Sequence, residues 1–345
     1  MIGGLMGGIR CGWAWLYLAI SVALTAREAD ALVVFSDDFE SDVASISSGW
    51  GNASTGISLT TDVPSSSGGR KSLQLDAGLG GSALLYHPLP LNYSRLFYRY
   101  YVKYEGTEYH HTGGMIGGYD PPTPWPQGDA GLKGIRDNGD RLVTVSLEIP
   151  EANRLDFYNN WIDMQGATYQ GLYYGRQLIQ DLNIAVPNQW TCVELMVTLN
   201  TPATASNGEL TVWINGDEVA NFRSGTPTGY WDAAGDWRMR SGSPAFGGFR
   251  WRDTTSLGLN WVKLQNFDAT TRVWFDDVVV ATERIGCLPE PRCAASLGCG
   301  VILLAALARG RSGKGHASRE LSKRPRIASQ PLWSTSSGPD PGSSR

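Results

Sequence analysis

Short runs of alternating apolar and polar residues recur between residues 32 and 287, without a long segment of helical periodicity. Alternation with period two places successive side chains on opposite faces of a β-strand. Turn-forming residues separate the runs, as in Ser67-Gly68-Gly69 and Ser206-Asn207-Gly208. The predicted strands are 72–75, 83–86, 96–104, 142–149, 155–164, 190–199, 209–214, 248–252, 259–264 and 272–281. Many short strands at this spacing indicate a β-sandwich or a β-barrel.

The clearest hairpin joins residues 209–214 to 218–222 through Asn215-Gly216-Asp217. Asn-Gly supplies two residues that tolerate the positive φ angles of a tight hairpin turn. Strand-like segments also lie at the two ends of this region, at 35–39 and 273–280, so we expect the ends to pair or to lie close together. The pattern predicts a single all-β domain over residues 32–288.

Residues 1–31 have the organisation of a secretory signal peptide. Arg10 precedes an apolar run from Cys11 to Ala26, and small-residue cleavage patterns follow at Leu24-Thr25-Ala26 and Ala29-Asp30-Ala31. This order is typical of chains exported through the Sec pathway. The alternative is an uncleaved membrane anchor, although the apolar run is shorter than the ~20 residues of a membrane span.

At the other end, Pro289-Glu290-Pro291 precedes an apolar stretch, 294–308, which Arg309 and Arg311 follow. This order resembles the PEP-CTERM sorting tails of Gram-negative bacterial exported proteins. The resemblance implies a sorting or membrane segment over residues 289–311; the alternative is a plain membrane anchor. Residues 312–345 are rich in Ser, Gly, Pro and Arg and are predicted to be disordered. Both interpretations predict a secreted or cell-surface domain whose basic flank stays cytoplasmic.

Two of the five cysteines, Cys192 and Cys287, fall inside the predicted domain. A pair of cysteines in an exported domain is a disulfide candidate. The formal net charge of −4 argues against a nucleic-acid partner, because such partners require a basic surface.

Three segments resemble concanavalin-A-like jelly rolls, namely Asp37-Asp38-Phe39-Glu40, the strand 96–103 and the closing strand 274–282. The pattern is most similar to polysaccharide lyases of the family 14 and family 20 type. Their strand reads aromatic-Arg-Tyr-Tyr-x-Lys, and a strand containing Gly-Gly-Lys-x-x-Gly follows it. This chain has Gly113-Gly114-Met115-Ile116-Gly117-Gly118 there, with methionine in place of the lysine. The resemblance implies an antiparallel two-sheet jelly-roll sandwich with a concave, carbohydrate-facing groove.

One face of the predicted strand 96–104 carries Phe97, Arg99, Tyr101 and Lys103. Eliminative cleavage of a uronic-acid polymer needs a cation that neutralises the carboxylate and a base that removes the C5 proton. Arg99 and Lys103 are therefore predicted cations, and Tyr101 is a predicted base. The alternative is an exposed strand face with ordinary charges.

His110 and His111 follow this strand directly. Histidine suits a general base near neutral pH. Adjacent residues of a strand point to opposite faces, so we expect at most one of the two to line the groove. The alternative is a packed or merely exposed histidine.

Further aromatic and cationic residues are predicted to bind the substrate, because aromatic rings stack on the apolar faces of sugars and arginines pair with acidic groups. These residues are Tyr119, Trp125, Arg154, Tyr158, Arg250 and Arg252. The alternatives are a structural loop over the core for 119–127, and salt bridges with Asp156 or Asp253 for the arginines.

Paired carboxylates of the hydrolase type are not apparent. A retaining glucanase of this fold carries Glu-x-Asp-x-x-Glu on one strand, and the nearest run here, Glu148-Ile149-Pro150-Glu151, has the wrong spacing. Glu194, within an apolar strand, is predicted to be a buried and paired carboxylate.

Acidic pairs lie at the two ends of the domain, Asp37 with Asp38 and Asp276 with Asp277. If the terminal strands are neighbours, these carboxylates converge, and calcium takes six to eight oxygen ligands. A structural Ca²⁺ at this junction is one prediction, and the chemistry itself requires no cofactor.

The sequence thus predicts an exported jelly-roll protein with an acidic polysaccharide as its partner and with membrane contact through the carboxyl-terminal segment. Its predicted activity is eliminative cleavage of that polysaccharide. The alternative is a carbohydrate-binding or extracellular-matrix protein without catalytic activity on the same fold.

Overall fold

The alternating runs form two antiparallel β-sheets that pack face to face. The computed structural model describes residues 32–79, 81–106, 111–127, 134–136, 138–151, 154–164, 172–179, 186–267 and 271–289, all within one compact unit. In chain order the elements are β1 Val33–Asp37, α1 Val43–Trp50, β2 Asn52–Ala53, β3 Ile57–Thr60, β4 Ser72–Asp76, β5 Ser82–Tyr93, β6 Arg95–Tyr104, β7 Gly113–Tyr119, β8 Leu142–Glu151, β9 Arg154–Phe157, β10 Thr191–Thr198, β11 Glu209–Ile214, β12 Asp217–Phe222, β13 Gly229–Trp231, β14 Trp237–Met239, β15 Leu259–Phe267 and β16 Arg272–Ala281.

Among the residues described, the larger sheet has eight strands in the order β12-β11-β10-β6-β16-β4-β3, with β1 also paired to β16. We call it the back sheet. The smaller sheet, the front sheet, has the order β2-β5-β15-β7-β8-β9, and β13 and β14 form a separate hairpin. This arrangement confirms the predicted all-β, jelly-roll sandwich.

Side chains from the inner faces of the two sheets make up the core. Tyr98, Tyr100 and Val102 of β6 are fully buried there, as the alternation predicts. Gly114 of β7 lies against the ring of Tyr100, and a Cβ atom at this glycine would come within 2.3 Å of Tyr100 Cε1. A larger residue at position 114 would therefore force the ring or the strand to move.

The two ends of the domain meet as predicted. Strand β1 pairs antiparallel with β16, so that Asp37 faces Val278. The predicted hairpin is also present as β11 and β12, and its turn has φ angles of 53° at Asn215 and 91° at Gly216.

Three local features differ from the sequence prediction. Residues 248–252 form no strand beyond an isolated bridge between Gly208 and Phe249, and the strand expected over 155–164 ends at Phe157. Helix α1 was not predicted, because it is only two turns long. Its start is capped by Asp42, whose carboxylate accepts a hydrogen bond from Ser45 N at 2.9 Å.

The predicted disulfide is confirmed: Cys192 and Cys287 are joined, with an S–S distance of 2.03 Å. The bond connects β10 to the segment that follows β16. No helix in the described part of the chain is long and apolar enough to cross a membrane. The predicted signal peptide, the sorting segment beyond Pro289 and the tail 312–345 lie outside the described residues.

Candidate functional site

The face of β6 that was predicted to line a groove lies on the outside of the back sheet and is covered. Arg99, Tyr101 and Lys103 are each only 5% exposed. Residues 282–288, which we call the C-terminal strap, run across this face. Arg99 donates hydrogen bonds to Gly286 O at 3.2 Å and to Asp277 O at 3.0 Å. Tyr101 Oη accepts one from Leu288 N at 2.8 Å. The expectation of an open groove here was wrong, because the strap backbone occupies it.

Two neighbouring groups fix the strap in place. Glu194 on β10 is fully buried and accepts hydrogen bonds from Ile285 N at 2.7 Å and Gly286 N at 3.0 Å. Cys287 is bonded to Cys192 on the same strand. Glu194 is therefore the buried, paired carboxylate that was predicted, and its partners are these two backbone amides and Arg284, whose Nε atom is 3.7 Å from Oε2.

Lys103 lies further along the same outer face and is also engaged. Its ammonium forms an ion pair with Asp62 and sits 4.3 Å from the centre of the Trp274 ring. These contacts give Lys103 a structural role on the back sheet.

A second group of polar, charged and aromatic side chains lies on the outer face of the front sheet, which we call the front face. Along each strand, its residues alternate with residues that point into the core, such as Val145, Val262 and Leu264. Cross-strand pairing aligns them in three rows, because opposing residues of an antiparallel pair share a face. The rows are Trp261–Gly117–Thr144, Lys263–Met115–Ser146 and Gln265–Gly113–Glu148.

His111 lies at the edge of the last row, just before β7. Its Nδ1 atom is 3.5 Å from Glu148 Oε2, and its ring meets the ring of Tyr158 edge-on with centroids 4.7 Å apart. Gln265 Nε2 donates a hydrogen bond to His111 O at 2.8 Å. The predicted residues His111 and Tyr158 thus lie together, with Glu148 and Gln265 beside them. His110 lies outside the described residues.

Tyr158 follows β9 and is partly buried beside Glu148. Burial raises the pKa of Tyr158, a backbone hydrogen bond from Gly175 lowers it, and the charge of Glu148 raises it again. Gly175 lies against the ring, since a Cβ atom there would be 2.4 Å from Tyr158 Cδ1. A tyrosine is protonated at neutral pH even without such a shift, so Tyr158 carries a proton that it could donate.

Lys263 was missed by the sequence analysis. It is only 3% exposed on the middle row of the front face, and its Nζ atom is 5.9 Å from the centre of the Trp261 ring. The signal was present in β15, where Trp261, Lys263 and Gln265 alternate with apolar residues. Gly117 makes room for the indole ring, because a Cβ atom there would be 2.3 Å from Trp261 Cζ2.

The other half of the front face is aromatic and lies under the proline-rich loop. Tyr119 stacks on Trp261 with ring centroids 5.3 Å apart, and its hydroxyl accepts a hydrogen bond from Gln127 N at 3.1 Å. Tyr86 Oη donates to Thr123 O at 2.9 Å. Tyr119 is therefore buried and holds the loop, contrary to its predicted exposure. Trp125, at the tip, is 56% exposed.

The predicted arginines are mostly engaged within the fold. Arg252 is buried and donates to Leu257 O at 2.6 Å and Asn200 O at 3.2 Å, so it is not exposed as a substrate-binding residue would be. Arg250 forms the alternative salt bridge with Asp253. Arg154, on the edge strand of the front sheet, donates to the Gln177 side chain.

The two acidic pairs converge where β1 meets β16. Asp37 accepts hydrogen bonds from Phe39 N at 2.8 Å and Trp50 Nε1 at 2.7 Å. Burial, followed by the charge of Asp277, raises the pKa of Asp276 to about 8. Within the described ranges, no group of three or more His, Cys, Asp or Glu side chains is arranged to hold a metal ion. The carboxylates, including Asp38, do not by themselves make up a calcium site, and calcium at this junction stays a prediction.

Neither a family model nor a curated protein matches this sequence. Among solved structures, a mutant of alginate lyase Aly36B in complex with alginate tetrasaccharide is similar, with 14% identity, a TM-score of 0.42 and coverage of 74% of this chain and 98% of that chain. Alginate lyase vAL-1 from Chlorella virus has 12% identity, a TM-score of 0.47 and coverage of 73% and 100%. The globular domain of T. cruzi calreticulin has 14% identity, a TM-score of 0.41 and coverage of 81% and 94%. Likenesses at this level do not identify a function for this chain.

Proposed function

We propose that this protein binds an acidic polysaccharide on the front face and cleaves it by β-elimination. The observation that carries the proposal is the grouping of His111, Tyr158 and Lys263 on one side of the front sheet. A cation, a base and an acid are the groups that eliminative cleavage of a uronic-acid polymer requires.

Lys263 supplies the positive charge in this scheme. An ammonium group beside the uronate carboxylate stabilises the negative charge that develops when the C5 proton leaves. Such stabilisation is strong in a site shielded from water, because the effective dielectric constant is low there. Lys263 is shielded in this way.

His111 and Tyr158 divide the proton transfers. His111 removes the C5 proton, the C5–H electron pair forms the C4=C5 double bond, and the C4–O4 bond breaks. Tyr158, protonated at neutral pH, donates its proton to the departing O4. His111 then loses its proton to solvent and the tyrosinate regains one, so the cycle closes without an oxidant or a cofactor.

The test is to incubate the purified full chain with a panel of uronic-acid polymers, including alginate, and to follow ultraviolet absorbance of the unsaturated uronate product. Absorbance should rise with wild type and fall to background with Tyr158→Phe. A flat trace with every uronic-acid polymer, from protein shown to be folded, would contradict eliminative cleavage.

The second candidate is carbohydrate binding without catalysis. Met115 favours it, because the lyases that the sequence resembles carry a lysine at this position. In that case the front face would bind a uronic-acid polymer, and the affinity of the Tyr158→Phe variant would match that of wild type, with no absorbance change in either.

A further inference from the structure

Glu148 is an unusual residue for the floor of a sheet face. It is fully buried on β8, where Ser146 Oγ donates a hydrogen bond to its Oε2 at 3.5 Å. Its other oxygen, Oε1, has no hydrogen-bond partner in the described part of the chain. Burying a charged carboxylate costs free energy unless the charge is paired or hydrogen-bonded. The proposed elimination reaction does not involve Glu148 directly.

His111 is held so that its ring stays over this carboxylate. Its φ angle is +51°, a region that a non-glycine residue rarely adopts. The carbonyl group of His111 is bound by Gln265, and the next residue, Thr112, accepts a hydrogen bond from Phe267 N at 3.1 Å. Strand β15 therefore holds the chain immediately after the unfavourable angle, through the His111 carbonyl and the Thr112 side chain.

We propose that Glu148 is a positioning residue for His111. The Glu148 carboxylate accepts a hydrogen bond from Nδ1–H of His111, so that the Nε2 lone pair faces the substrate. The hydrogen bond made by one imidazole nitrogen decides which tautomer is present. The Nδ1–Oε2 separation of 3.5 Å is long for a hydrogen bond, and such contacts tighten when a substrate is bound. This inference rests on the proposed function for its catalytic meaning, but not for the geometry itself.

Other titratable groups of the described residues lie in the same part of the front sheet. Asp156 lies opposite Glu148 on β9, and its Oδ1 accepts hydrogen bonds from Leu178 N and Ile179 N, both at 2.9 Å. Tyr158 meets the His111 ring edge-on, and the charge of Arg176 lowers the pKa of Tyr158. Lys263 is in the next row of the front face. The 3.5 Å contact places the Glu148 carboxylate at Nδ1 of His111.

The tautomer is measured directly by nuclear magnetic resonance of the full chain carrying ¹⁵N-labelled histidine, with His111→Gln used to assign the signals. Near pH 8, where histidine is mostly neutral, wild type should show the proton on Nδ1. The Glu148→Gln variant should lose that preference. The matched control is Glu194→Gln, which changes a buried glutamate on the back sheet and should leave the His111 signals unchanged.

Wild type showing the proton on Nε2 would overturn the proposal, and this outcome needs no variant to fold. Unchanged His111 signals in folded Glu148→Gln would overturn it as well. A measurement of activity distinguishes failure of the positioning proposal from failure of the proposed function. Glu148→Gln should lower kcat by at least about tenfold and leave KM nearly unchanged, since the carboxylate acts through a general base. If no polymer is cleaved but the tautomer is as expected, the proposed function fails and the positioning role of Glu148 stands.

Discussion

Lys263 on β15 and Met115 on β7 lie directly opposite each other in the front sheet. Met115 occupies the position at which the resembling lyases carry a lysine. Directly opposed residues of an antiparallel pair have Cβ atoms about 4.5–5.5 Å apart. The lysine of this row of the front face thus lies on β15, one strand away from the methionine.

Exchanging the two residues tests this relationship. Lys263→Met should lower turnover of an acidic polymer by about 100-fold or more, because it removes the charge that stabilises the intermediate. The double variant Met115→Lys with Lys263→Met should recover part of that loss, since the ammonium returns to the same row. Initial rates from the absorbance assay measure both.

The matched control is Lys103→Met, which removes a similarly buried lysine from the back sheet. It should lower stability, because it breaks the ion pair with Asp62, without changing turnover below the unfolding transition. Equal losses of turnover in Lys263→Met and Lys103→Met would show that neither lysine belongs to the site.

Trp125 is predicted to contact the polymer from the tip of the loop. Trp125→Ala should weaken binding by about 5–10-fold, near 1 kcal/mol, as expected for an exposed aromatic ring at an interface. Its free energy of unfolding should stay within about ±0.5 kcal/mol of wild type. Tyr230→Ala, at a partly exposed aromatic on β13, is the control and should leave affinity unchanged. Calorimetric titration with the polymer measures both affinities, and an equal loss in the two variants would argue against a specific role for Trp125.

The C-terminal strap is predicted to support stability and not activity. Replacing Cys192 and Cys287 together by serine opens a link across 95 residues. The free energy of unfolding should fall by about 2–5 kcal/mol. Because the strap lies on the back sheet, polymer binding below the transition should persist. Urea unfolding and polymer binding are measured on the same preparation of the double variant. An unchanged free energy of unfolding together with a loss of polymer binding would contradict this prediction.

Asp276 makes a testable contribution to the pH dependence of stability. Its pKa of about 8 in the folded state is above its value of about 4 in an unfolded chain. Between these values the folded state keeps a proton that the unfolded state releases, so raising the pH through this window lowers the free energy of unfolding. Asp276→Asn should remove this component and be more stable than wild type above about pH 8.

Urea midpoints of the two proteins across the window provide the measurement. Parallel curves for wild type and Asp276→Asn would contradict the raised pKa. Added calcium that stabilises wild type near pH 8, with no effect on Asp276→Asn, would instead support the predicted calcium site.

The sequence predicted most of the long strands, although not the outcome at 248–252. It was insufficient to decide which outer face carries the candidate site. Alternation in β6 correctly separated Tyr98 and Tyr100 from Arg99 and Lys103. It did not reveal that Arg99 is bound by Gly286, because that partner is 187 residues away along the chain. In β15 the same period-two pattern marked Lys263, but a lysine between apolar residues does not show by itself which strands surround it. His111 and Tyr158 were identified individually, and only the fold brought them together.

The strap also makes the two outer faces of the sandwich different from each other. Its last described residues run over the back sheet, whereas His111 and Lys263 belong to the opposite side of the sandwich. The disulfide at Cys287 therefore fixes the end of the strap to the back sheet. A force applied at Leu288 would reach the disulfide and β10 first, while the front face lies on the opposite side of the sandwich.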